Sequence, residues 1–212
     1  MATLQSYITE CRRLLHDANG NFYSNEELTD YVNSARERTV RDTGCLRELQ
    51  SFTLNYGQEV YSYDVDLPKG TQTLDILNVN IYWGNSRTPM RYLAWTDFNA
   101  QLRYWQNYRG LPIAYSIYGQ SKFYVGPVPD QEYVAEADTV ILPLPLVNLT
   151  DVDDIRDPYT TPVAYYASYK AKFKEQSFGE AEIFKQQYLS HVQAALTSTF
   201  TRRMPTPYST PY

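Results

Sequence analysis

Four aspartates crowd one short stretch, DVDDIRD, at Asp151, Asp153, Asp154 and Asp157. Hard cations bind clustered carboxylates, which makes this run the first place to look for a metal. Its spacing lacks the glycine and the closing glutamate of a calcium loop. Asp151, Asp153 and Asp154 therefore read as solvated acids of a loop, or as an acid patch at an interface, and not as ligands. The two histidines, His16 and His191, fall in different helical segments. His16 reads as a polar residue near a helix C-terminus, where the dipole suits it, and His191 as part of a solvated face. Cys11 and Cys45 lack CxxC spacing and neighbouring histidines, and both read as small hydrophobes. No GxGxxG, phosphate loop, HExxH or GxSxG pattern occurs. A carboxylate pair for glycoside cleavage needs only closeness in space, and nothing here singles one out. The expectation is no catalytic residue, no metal and no cofactor.

Chemistry of another kind, that of binding, is written in the last residues, TRRMPTPYSTPY. Pro205, Pro207 and Pro211 remove backbone donors and fix φ, so neither a helix nor a central strand runs through them. Met204, Tyr208 and Tyr212 are too adhesive for a plain linker, and Arg202 and Arg203 offer forked donors for carboxylates. The expectation is an extended arm that a partner receives, already biased toward polyproline II so that docking loses little entropy.

Composition bounds the body that carries this arm. The chain has 212 residues, 43% hydrophobic and 20% charged, enough for one compact core with an insertion. A net charge of −5 gives no grip on nucleic-acid phosphates. No apolar run approaches the ~20 residues that span a bilayer. The opening MATLQSYITECRRLL is amphipathic with no signal-peptide apolar stretch, so a chain kept in a reducing cytoplasm, unless it leaves inside an assembly, is expected. The sequon at Asn148 is then idle. With 21 tyrosines, more hydroxyls are present than a small core hides at low cost, which leans toward a surface covered by other proteins.

The elements follow from periodicity. Leu4, Tyr7, Ile8, Cys11, Leu14 and Leu15 form one stripe of a helix, with Arg12 and Arg13 opposite. Ser24 and Glu27 make a capping box, Tyr23 staples onto Leu28, and Tyr31, Val32, Ala35 and Thr39 continue the buried face until Gly44. Alternation around Phe52 and Leu54, broken at Gly57, reads as a β-hairpin resuming at Val60. Leu77 to Trp83 alternates again, and residues 96–108 read as a helix capped by Thr96, with Phe98, Leu102 and Trp105 on one side. A second hairpin turns near Gly119. TVILPLPL reads as an edge strand, because Pro143 and Pro145 cannot donate to a ladder. Thr161 caps a helix with Pro162 at its first position, Gly179 ends it, and Ala181, Phe184, Tyr188, Val192 and Ala195 mark another. The fold class expected is α+β: terminal helices bundled together, a mostly antiparallel β segment inserted between them, and the proline-rich arm. The divisions are 1–46, a helical hairpin; 47–157, the β-rich insertion; 158–200, a helical pair completing the bundle; and 201–212, the arm.

A resemblance enters at YSNEELTDYVNSARERT, which is similar to the opening of phage head-to-tail adaptor, or connector, proteins. Their pattern is matched by Tyr23, Ser24, Asn25, Glu27, Leu28, Tyr31, Val32, Asn33, Ala35 and Arg36. SFTLNYGQEVYSYDV, GLPIAYSIYGQSKFYVGPVPD and the closing IRDPYTTPVAYYASYKAKFKEQSFGEAEIFKQQY resemble the family's next landmarks, in order. The resemblance implies a structural virion protein with no enzymatic activity. It implies a homo-oligomeric ring, twelvefold, beneath the portal protein and above a tail protein (nozzle, hub or tail tube). Genome DNA passes non-specifically through the channel, no membrane is involved, and assembly is in the host cytoplasm. On this reading the arm binds the portal, Tyr208 and Tyr212 anchoring it while Arg202 and Arg203 meet portal acids. Twelve copies at −5 make an acidic ring in which DNA slides. The alternative of another class is a tail-associated cell-wall hydrolase or carbohydrate-binding module.

Overall fold

The computed structural model describes residues 2–105 and 107–200, without the side chains of residues 102, 103, 199 and 200. In chain order the elements are α1 (Leu4–Leu14), α2 (Asn25–Thr43), β1 (Arg47–Leu54), β2 (Val60–Ser62), α3 (Tyr63–Asp66), β3 (Thr73–Trp83), β4 (Ser86–Pro89), β5 (Arg91–Tyr92), α4 (Trp95–Trp105), β6 (Ala114–Tyr118), β7 (Lys122–Gly126), β8 (Tyr133–Ile141), α5 (Thr161–Lys174) and α6 (Phe178–Phe200). The fold is α+β. The described residues form two compact units, one made of Leu46–Leu142 and the other of those up to Cys45 together with those from Pro143 to residue 200. Residues 143–157, expected with the β-rich insertion, thus lie in the helical unit.

In the helical unit the stripe of α1 is buried as its spacing demands: Leu4, Tyr7, Ile8, Cys11 and Leu15 pack with Leu28, Val32 and Ala35 of α2 and with α5. α5 faces them with Val163, Ala164, Ala167 and Ala171, whose small side chains let the helices approach closely. Thr3 and Ser6 cap α1 reciprocally. Ser24 caps α2 by accepting from the Glu27 amide at 3.1 Å, but Glu27 does not return the bond; its carboxylate is turned to Tyr31 and Lys174. Gly44, at φ 59°, closes α2.

The ends of α1 and α5 share one device. After α1, His16 sits at φ 57°; its amide donates to Arg13 O and that of Asp17 to Arg12 O. After α5, Gln176 sits at φ 61°, its amide donating to Phe173 O and that of Ser177 to Lys172 O. Both are left-handed caps that satisfy the last carbonyls, built without glycine. The break after α5 therefore falls at Gln176, and Gly179 lies in the first turn of α6. Thr160, not Thr161, occupies the cap position of α5, with no side-chain bond, and Pro162 is the second helical residue.

Among its described residues the β unit holds two four-stranded sheets, in the orders β1-β8-β3-β4 and β2-β7-β6-β5. Their inward side chains share one core: Phe52, Leu54, Val79, Ile81, Ala135 and Ala137 from the first sheet, Tyr61, Tyr115, Phe123 and Val125 from the second. This overturns the first hairpin. β1 pairs along its whole length with β8, while β2 pairs with β7. Alternation specifies which face is buried but not which strand lies alongside. TVILPLPL is likewise no edge: Thr139 to Ile141 end β8, flanked by β1 and β3, and the prolines follow the strand. The hairpin of β6 and β7 turns at Gly119, φ 68°. α4 starts at Trp95, so Thr96 stands within its first turn rather than at the cap. Phe98 is fully buried beside Trp95, Trp105 and Tyr124, while the Leu102 side chain lies outside the described residues.

Candidate functional site

The acidic run is where sequence and structure part most sharply. Asp153 is buried with its side chain 0% exposed, against an Arg36 side chain 1% exposed. One carboxylate oxygen accepts from Arg36 Nε at 3.0 Å, from its terminal nitrogen at 2.7 Å and from the Ile155 amide at 3.1 Å. The other accepts from the Tyr7 phenol at 2.6 Å. Arg36 also donates to Leu144 O at 2.7 Å and to Asn33 Oδ1 at 3.1 Å. Asn33 completes the bracket: its side-chain amide donates to Leu146 O and its oxygen accepts from the Leu146 amide, both at 2.9 Å. Burial first, then the neighbouring Asp153 carboxylate, push the Tyr7 phenol above its ordinary range. Asp153 is thus no solvated or interface acid; its charge is neutralised and its lone pairs are used in fastening residues 144–155 to α1 and α2.

The other acids behave differently. Asp151 accepts from the amides of Val147 and Asn148 at 2.9 and 2.8 Å, and these bonds, that of Asn148 foremost, hold its carboxyl below the usual range. Asp154 and Asp157 are exposed. Among the described residues no group of three or more His, Cys, Asp or Glu stands close enough to hold a metal ion.

The segment around Ser24 has the same character. Tyr23 donates its phenol to Glu175; Asn25 accepts from Arg12 at 2.9 Å; Leu28, Val32 and Ala35 are fully buried; Tyr31 donates to Glu27 at 2.6 Å. With Asn33 and Arg36 binding the 144–155 loop, nearly every position of the sequence pattern has a fastening task. Arg12, on the face opposite the apolar stripe, is part of the turn: it contacts Asp17 at 3.1 Å and Tyr23 O at 2.9 Å. Burial works against the Asp17 charge, but the Tyr23, Asn21 and Phe22 amides and Arg12 outweigh it and hold the carboxyl low. His191 is half-buried and stacks on Tyr165 with ring centres 4.6 Å apart, not on a solvated face. Cys11 and Cys45 are free thiols, and burial pushes that of Cys11 up to about 12.

Between α2 and the fastened loop runs a groove of about 470 Å³. Leu146, Val147 and Leu149 line one side, and Glu26, Asp30 and Asn33 the other. Val147 is 74% exposed, unusual for so apolar a side chain on a loop held this firmly.

A family model described as SU10 adaptor protein matches residues 2–211, nearly the whole chain. The chain belongs to the SU10 adaptor family. No curated protein matches it. Membership bears out the resemblance to phage head-to-tail adaptors, a structural rather than enzymatic class of virion part. In this SU10 adaptor the tyrosines serve two ends. Tyr7, Tyr23, Tyr61, Tyr115, Tyr133 and Tyr188 are buried, and each hydroxyl finds a partner, such as Asp42 for Tyr188 at 2.7 Å. Their number is therefore in part a core property, contrary to the expectation of a surface one. Tyr56, Tyr92, Tyr104, Tyr108 and Tyr118 remain exposed, as do Phe173, Phe178, Ile183 and Leu189 of the helical unit. The arm residues Arg202, Arg203, Met204, Pro205, Pro207, Tyr208, Pro211 and Tyr212 lie outside the described residues. No helix among the described residues is long and apolar enough to cross a membrane.

Proposed function

We propose that this SU10 adaptor chain assembles as a homo-oligomeric ring, twelvefold, beneath a phage portal protein and joins it to the tail, with genome DNA passing through the ring. The observation that carries the reading is the family match over residues 2–211, within which the Tyr23-to-Arg36 pattern is spent on holding a loop and helices in place rather than on chemistry. Large exposed apolar side chains on both units support it, since a part of an assembly leaves for its neighbours what a monomer would cover. The acidic balance supports a channel role, because twelve copies at −5 repel phosphates and offer DNA no grip. The arm of residues 201–212 reaches the portal through Tyr208 and Tyr212 as anchors, the prolines limiting the entropy lost on docking.

Electron microscopy and native mass measurement of the full chain, alone and mixed with its portal, test this. The expected result is a closed ring of twelve formed on the portal. A monomer that ignores the portal and binds or cleaves cell-wall glycan would overturn the proposal in favour of a tail-associated hydrolase or carbohydrate-binding module.

A further inference from the structure

The groove beside α2 has one acidic wall, on the helix, and one apolar wall, on the loop that hydrogen bonds fasten. Glu26 and Asp30 are exposed on the first turns of α2, while Glu27 between them is committed to Lys174. Across the gap Val147 and Leu149 are exposed on a loop fixed by Asn33, Arg36 and Asp151. Such a surface fits a short segment that carries two cations followed by a flexible apolar side chain. This chain has that segment: Arg202, Arg203 and Met204, followed by Pro205.

We propose that the groove seats residues 202–205 of a second copy of this chain, the arginines meeting Glu26 and Asp30 and Met204 covering Val147 and Leu149. The inference rests on the reading of the chain as a self-assembling ring subunit and names one of the contacts between subunits.

The chain's own residues do not reach. Glu175 and Lys174, at the end of α5, bond to Tyr23 and Glu27 at the start of α2, so α6 sets out from the N-terminal end of α2. By Tyr188 it has come to Asp42, at the other end of α2. On the helical rise, α6 continues about 18 Å beyond that point to Phe200, while Asp30 lies about 18 Å back along α2. Even for helices crossing at a right angle the gap is about 25 Å, whereas two to four extended residues span only about 7–14 Å. A contact that one copy gives and the next receives is heterologous, the kind that closes into a ring. Each arginine–carboxylate contact on an exposed rim is weak, but contacts repeated around a ring form at high effective concentration. The remaining arm, with Tyr208 and Tyr212, then leaves each subunit from a neighbour's surface.

Cysteine trapping in the full chain tests this, with Cys45→Ser in every variant and Cys11 left in the core. Chains bearing Val147→Cys are mixed with chains bearing Met204→Cys and oxidised, free and in the presence of portal; Gln187→Cys, exposed on α6, replaces Val147→Cys as the control. The expected result is a disulfide-linked pair of chains forming at least tenfold faster than the control in one or both conditions. Adding Glu26→Lys and Asp30→Lys to the Val147→Cys chain should abolish that preference, and Arg202→Glu with Arg203→Glu in its mate should restore it. Equal rates at the two sites in both conditions overturn the proposal, as does a preference that survives the charge reversal. A concentration-independent crosslink within one chain bearing both cysteines overturns it too. Portal capture of the unmodified chain is scored separately: capture without the Val147 preference sinks this contact alone, while loss of capture sinks the ring-and-portal reading.

Discussion

Arg36 and Asp153 each keep 1% or less of their side chain in contact with water, so either charge is tolerable only while the other stays. Asp153→Ala removes the partner of a buried guanidinium and orphans the Tyr7 phenol, and should cost about 3–5 kcal/mol in urea denaturation. Asp154→Asn, three atoms of backbone away but in water, should stay within about 0.5 kcal/mol. Equal, small losses from both would show that the pair does not hold the loop. The run of aspartates was visible in the sequence, but which one turns inward was not. That depends on Arg36, more than a hundred residues earlier, and the arginine of the family pattern was the unread signal. A pH dependence belongs to the same scale. The bond from Lys174, then that from Tyr31, hold the Glu27 carboxyl below its ordinary 4.5; the bond from Tyr23 does the same for Glu175. A carboxyl lowered by folding stabilises the native state above its unfolded value and loses that contribution as pH falls through the folded one. Stability should therefore decline as pH drops below about 4.5, and Glu27→Gln should flatten the decline; parallel curves for both proteins would refute the assignment.

Elements were legible where their signal is local. The stripe of α1, the Ser24 cap of α2 and the β6–β7 hairpin are each written within a few residues, and each is found. What failed was non-local or depended on a residue acting out of type. Phe52 and Leu54 announce a strand, yet their partner is β8, some eighty residues on, and no local pattern carries that address. Gly179 was the natural stop for α5, but Gln176 makes the left-handed turn instead. That substitution of roles is testable at the same scale. A non-glycine residue held left-handed is strained, so Gln176→Gly should raise stability by about 0.5–1 kcal/mol. Gly179, helical and with open space where a Cβ would stand, should gain a similar ~0.5–1 kcal/mol on Gly179→Ala. If glycine at 176 destabilises, or alanine at 179 does, the placement of this break is wrong. Ser24→Ala should lose about 1 kcal/mol in thermal melts through the missing cap alone, because Glu27 is engaged elsewhere.

On the proposed reading, stability and assembly are carried by different residues of the molecule, which makes them separable. The core of the helical unit is closed by α1, α2 and α5 with Tyr188, Val192 and Ala195 of α6, all before residue 201. With that core closed by residues before 201, a chain ending at Phe200 should melt within about 1 °C of the full one, a shift corresponding to only a few tenths of a kcal/mol. It should nevertheless fail to join its portal, because Tyr208 and Tyr212 are gone. It should also lose the neighbour contact at Glu26 and Asp30, so that ring closure on any template is weakened. Salt distinguishes the two losses. Contacts between arginines and exposed carboxylates are screened within about 8 Å at physiological ionic strength, while aromatic burial is not. Raising salt on the full chain should thus loosen subunit from subunit before it loosens ring from portal, and the truncated chain should show neither dependence. Should the truncated protein dock as well as the full chain at every ionic strength, the arm has no part in assembly, and the exposed apolar surfaces of the two units must do all the work.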